Sequence, residues 1–138
     1  MSQTIKKYIA SIKNKNIHVI GASGAEGTAI IEFLLHHGIK KITAHDFQPD
    51  IKTFRHRFKQ THTNLDPISR VHTLALLTQP PVQLCLQNNY LDNILQADLI
   101  FLTQAWYMYP PNFPRLKQAL DKKIPISSLT KLYFDLAP

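Results

Sequence analysis

The chain has 138 residues, 44% hydrophobic and 18% charged, which sizes it as one domain with its own core and excludes a disordered chain. Its net charge of +7 attracts anions in general, nucleotides and phosphates among them. No apolar run approaches the roughly 20 residues of a membrane span, and residues 1–15 lack the apolar core and cleavage site of a secretory signal.

In chain order, Ile5, Tyr8, Ile9 and Ile12 recur at helical spacing and predict a short amphipathic helix over residues 4–14. Residues 17–20 form a first predicted strand, 25–37 a core-facing helix stopped by Gly38, and 39–45 a second strand ending in Asp46. After a break at Pro49, residues 51–62 predict a helix with Phe54 and Phe58 on one side and Lys52, Arg55, Arg57 and Lys59 on the other. Pro67 suits the start of a further helix that runs to about Thr78. Residues 82–86 predict a third strand, 88–96 a short helix, and 98–103 a buried fourth strand. An aromatic, proline-rich stretch over 104–114 leads to a helix at 113–122, a strand at 124–126 and a last helix at 129–135 capped by Ser127 or Ser128. Strands alternating with helices predict an α/β, Rossmann-like three-layer fold with a five-stranded parallel sheet flanked by helices.

The chemistry concentrates in residues 16–38. Three of the four glycines, Gly21, Gly24 and Gly27, stand between the first strand and its helix. A strand, a glycine turn and a helix in that order open a nucleotide-binding βαβ unit, because bare backbone permits a tight turn and unpaired helix N–H groups attract phosphate. The alternative is a turn that needs glycine only for packing. Asp46 lies 25 positions after Gly21, where such units place a ribose or base acceptor; otherwise it caps the following turn.

Two stretches together resemble the N-terminal domain of the Mur ligases: I-H-V-I-G-A-S-G-A-E-G-T with Asp46 beyond it, and A-D-L-I-F-L-T-Q-A followed by P-P-N-F-P-R-L-K-Q-A-L and K-K-I-P-I-S-S-L-T-K-L-Y-F. The D-glutamate-adding ligase is the nearest member by this resemblance, which implies a domain that holds the UDP part of a UDP-N-acetylmuramoyl substrate. Carried over by position, Ser23, Gly24, Ala25, Glu26 and Gly27 would meet the diphosphate, Asp46 and Phe47 the uridine, and Thr103 and Gln104 the diphosphate and sugar. The family's Gly-Lys-Ser/Thr P-loop does not occur, and no glycine follows Gly38. The expectation is therefore a nucleotide-binding domain without catalytic residues of its own, whose ATP and Mg2+ belong to a longer parent with further domains.

A second reading stays open: G-A-S-G-A-x-G also looks like the loops of some NADP-dependent reductases, although no Tyr-x-x-x-Lys pair is present. A third is a docking module that keeps the fold without a ligand, with Trp106, Tyr107 and Tyr109 as its surface rather than a stacking platform for a base or sugar. Seven histidines show no zinc-site spacing, so no metal is expected. The basic helix face at 52–59 reads as solvated rather than as a nucleic-acid contact. Cys85 sits alone in an apolar run and reads as a buried structural thiol, which with the absence of any disulfide partner fits a reducing cytoplasm.

Overall fold

The computed structural model describes residues 1–137. Its elements run α1 (Gln3–Ile12), β1 (Ile17–Ile20), α2 (Ala25–His36), β2 (Ile42–His45), α3 (Ile51–Thr61), α4 (Pro67–Thr78), β3 (Val82–Cys85), β4 (Leu99–Leu102), α5 (Asn112–Asp121), β5 (Ile126–Ser127) and α6 (Leu129–Leu136). All strand pairs are parallel, in the order β3-β2-β1-β4-β5. The expected five-stranded Rossmann-like sheet is thus present, and the chain reverses its direction of travel across the sheet at β1.

Side chains alternate across the strands and build two cores of unequal thickness. Ile17, Val19, Ile42, Ala44, Leu99 and Phe101 point to one face, where they meet Ile30, Ile31 and Leu34 of α2, Phe54 and Phe58 of α3, Leu77 of α4 and Leu132 of α6. The two phenylalanines of α3 are fully buried, which stabilises by about 1.5–3 kcal/mol for each such side chain. Ile20 and Ile100 point to the other face, which is covered by Leu116 and Ala119 of α5 and by Leu91, Ile94 and Ala97 of the β3–β4 connection.

Two strand starts shift and one predicted helix is replaced, each for a local reason. The second strand begins at Ile42, because Gly38 takes a left-handed φ of +75° and the Ile39 N–H turns back to Leu34 O at 3.0 Å. This closes α2 in the manner of a Schellman motif and spends Ile39 on the helix stop. Ile124 repeats the pattern: Lys123 has φ +59° and the Ile124 N–H reaches Ala119 O at 3.0 Å, so β5 starts two residues late. The expected helix over 88–96 is instead two 3-10 turns, Gln87–Asn89 and Ile94–Gln96. Asn88, Asn89 and Asn93 favour turns over helix interiors, and Leu91 at φ +61° interrupts any helical path. Ser128 is the cap of α6, its Oγ accepting the Lys131 N–H at 3.1 Å. No helix among the described residues is long and apolar enough to cross a membrane.

Candidate functional site

A narrow cleft of about 510 Å3, counting its open mouth, lies beyond the carboxyl ends of β1, β2 and β4. This is the point where the strand order reverses, the usual ligand position in open parallel sheets. Its floor is Gly21, Ser23 and Gly24 from the glycine turn, with Asp46 and Phe47 on the β2 side and Thr103 on the β4 side. Five of the nine residues expected from the sequence, Ser23, Gly24, Asp46, Phe47 and Thr103, therefore share one cleft. Glu26 and Gln104 lie on an adjoining groove, where the Glu26 carboxylate accepts the Gln104 N–H at 2.8 Å. Ala25 is exposed beside the cleft, and Gly27 is buried beneath it.

The glycines do different work. Gly21 has φ +90°, and a Cβ there would run into the Thr103 hydroxyl, so this turn brings β1 against the end of β4. At Gly27 a Cβ would collide with the Gly21 carbonyl, with its carbon only 2.8 Å away, so α2 starts directly under the turn. Gly24 is unlike both. Its φ of −77° suits any residue, and a Cβ would meet only Gly21 O at an ordinary 3.6 Å. Among the described residues no steric contact requires that position to be bare.

Ser23 is held at both ends of its backbone. Its N–H donates to Asp46 Oδ2 at 2.8 Å, while its carbonyl lies 3.2 Å from His62 Nε2. The carbonyl can only accept, so Nε2 of His62 carries the proton and also reaches Thr28 Oγ1 at 3.2 Å. Thr28 in turn donates to Ala22 O at 3.0 Å. The second oxygen of Asp46 accepts the Gln48 N–H at 3.2 Å, so both oxygens of this buried carboxylate, 4% exposed, hold backbone N–H groups. It clamps the loop while still lining the cleft. The N–H groups of Ala25, Glu26 and Gly27, in the first turn of α2, have no acceptor among the described residues.

The opposite wall is aromatic. Phe47 packs 4.9 Å from Tyr109 and 5.5 Å from Tyr90, centroid to centroid, which joins the end of β2 to the segment after β4. Asn112, fully buried at the start of α5, donates to Trp106 O at 2.7 Å and accepts the Tyr90 hydroxyl proton. Burial pushes the Tyr90 hydroxyl well above the usual phenol range. Trp106 and Tyr109 line the cleft, whereas Tyr107 is 61% exposed and faces solvent. The aromatic stretch thus divides between wall and surface.

Below the cleft, the hydrogen bonds define the protonation of two buried histidines. The Leu91 N–H donates to His45 Nδ1 at 3.1 Å, so His45 carries its proton on Nε2 and gives it to His18 Nδ1 at 2.8 Å. The remaining His18 Nε2–H is buried without a partner among the described residues. Burial holds both rings neutral, lowering His18 to about 4 and His45 to about 3, the latter aided by repulsion between the two rings. Among the described residues no three His, Cys, Asp or Glu side chains converge as a metal site would require. Cys85 is buried, its thiol pushed up by burial.

His62, Tyr90 and Asn112 carry no signal in the sequence that marks them as part of a site. Arg57, also on the cleft, did leave one. At 3.6 residues per turn, Arg55 and Arg57 fall on opposite flanks of the Phe54–Phe58 stripe. The four basic residues of α3 were therefore never one face.

No family model and no curated protein matches this sequence. Among solved structures, the E. coli tRNA N6-threonylcarbamoyladenosine dehydratase TcdA is similar over 89% of this chain and 53% of its own, at TM-score 0.53 and 18% identity. A short-chain dehydrogenase/reductase from Veillonella parvula in complex with NADP aligns at TM-score 0.49 and 14% identity, over 81% of this chain and 45% of that one. Quinate dehydrogenase from Corynebacterium glutamicum in complex with NAD aligns at TM-score 0.47 and 15% identity, over 97% and 51%. At these identities the likeness is one of fold, and the chain spans about half the length of these proteins. The expected membership of the Mur ligases is corrected by these findings. The neighbour that aligns at TM-score 0.53 is a dehydratase and not a ligase. The ligase, peptidoglycan and cell-wall expectations fall with it. The chain is a Rossmann-like α/β domain.

Proposed function

We propose that this domain binds a nicotinamide dinucleotide, with the phosphates over Gly24 and the first turn of α2 and the adenosine towards Asp46 and Phe47. The observation that carries the reading is Gly24. Its backbone is ordinary, a Cβ has room, and yet it is bare at the floor of the cleft, as close approach of a ligand to backbone demands. The unpaired N–H groups of Ala25 and Glu26 supply the donors that a diphosphate needs at a helix start. Glu26 is tied to Gln104 N–H on the β4 side of the turn, which directs its charge towards that backbone donor. Phe47 and Tyr109, packed against one another, give a base an aromatic wall along the cleft. When bound, such a cofactor supplies hydride transfer; this chain's part is to hold and orient it.

Calorimetric titration with NADH, NADPH and uridine diphosphate tests the reading. Saturable heat with at least one of the dinucleotides is expected, with amide shifts at 23–27 and a raised melting temperature at saturating ligand. A response to uridine diphosphate alone, or to none of the three, sinks it.

A further inference from the structure

Asp46 and Arg57 are the two charged residues that line the cleft, and they are in opposite conditions. Asp46 accepts backbone N–H groups at both oxygens, from Ser23 at 2.8 Å and Gln48 at 3.2 Å, and is buried. Arg57 is exposed at the cleft and takes part in none of the ion pairs found among the described residues. Its neighbours on α3, Lys52, Arg55 and Lys59, line a separate surface hollow with Asp50. Arg57 is thus set apart from the basic face to which the sequence assigned it.

Building on the dinucleotide reading above, we infer that the cleft selects the form phosphorylated on its adenosine ribose, and that Arg57 is the residue that reads that phosphate. A bare ribose diol shares Asp46 with the Ser23 and Gln48 N–H groups and finds only the acceptor sites that these leave. A phosphate on the same ribose meets a planar guanidinium whose parallel N–H groups match two phosphate oxygens. The charge of Asp46 opposes the phosphate from the same cleft. The preference therefore depends on Arg57 outweighing Asp46, and removing Arg57 abolishes it.

The test is titration of the intact chain with NADPH and NADH, and with adenosine 2′,5′-bisphosphate and 5′-AMP to isolate the one phosphate. NADPH should bind about tenfold more tightly than NADH, and the bisphosphate more tightly than 5′-AMP by a similar factor. Arg57→Ala should weaken NADPH by about tenfold while moving NADH less than twofold, and Arg57→Lys should fall between. Arg55→Ala, on the outer flank, should leave both affinities unchanged. Equal affinities in the unaltered chain, or equal weakening of both ligands by Arg57→Ala, overturns the inference while leaving the dinucleotide reading standing. Failure of both dinucleotides to bind removes the reading and the inference together.

Discussion

Gly24 and Gly27 stand three residues apart and impose opposite demands. Gly27→Ala drives a methyl group into the Gly21 carbonyl, against rigid backbone on both sides, and should destabilise by about 1–3 kcal/mol. Gly24→Ala, at the N-cap of α2, should cost no more than about 1 kcal/mol, since the added Cβ finds ordinary contacts, yet it should weaken dinucleotide binding severalfold. Denaturant unfolding and titration of the same two variants separate these effects; a Gly24→Ala variant that binds as before shows that the position serves packing alone. The sequence displays three equivalent glycines, and only the path of the backbone tells them apart. Asp46 teaches the same lesson. Its position was legible from the spacing, but its partner was not, because the Ser23 N–H reaches it only after β1 and β2 have paired.

At the scale of elements, the long periodic segments were legible because burying an apolar face is a strong constraint that hydrophobic spacing records directly. The failures gather where chains leave helices. Ile39 and Ile124 are strand-forming residues by type, yet both are used to close the preceding helix. The pairing of His18 on β1 with His45 on β2 likewise escapes sequence reading, since 27 residues separate them. It has a consequence for pH. Both histidines are held below their unfolded value near 6.5, so their neutral forms stabilise the fold fully above that pH. As the pH falls through 6.5 towards about 4, the unfolded chain takes up protons that the fold refuses, and stability declines. The slope approaches about 1.4 kcal/mol per pH unit for each histidine. Denaturant midpoints at pH 7, 6 and 5 should drop in order, above the range where carboxylates titrate; a flat profile contradicts the neutral pair.

The whole molecule is lopsided. Five helices back one face of the sheet, while the other is closed by α5 and two short 3-10 turns. The fold class was legible from the alternation of strands and helices, because right-handed crossovers leave few ways to arrange such a chain. The same alternation misled about family, since the arrangement is common to many unrelated activities. The cleft was half legible: residues at strand ends announce themselves through the glycine turn, whereas Tyr90, Asn112 and Trp106 come together only by way of tertiary contacts.

The clamp on Ser23 bears on how any ligand arrives. With its N–H on Asp46 and its carbonyl on His62, the turn is ordered before binding and has little freedom left to lose. Amide hydrogen exchange should therefore divide the loop sharply in the ligand-free protein. Ser23 should exchange slowly, and Ala25 and Glu26, without acceptors, at close to solvent rates. Addition of dinucleotide should slow Ala25 and Glu26 while leaving Ser23 as it was. Fast exchange at Ser23 before addition would mean that the ligand orders the loop. A preordered loop also implies association in a single kinetic step, with a rate that rises linearly with ligand concentration and never reaches a plateau set by loop closure.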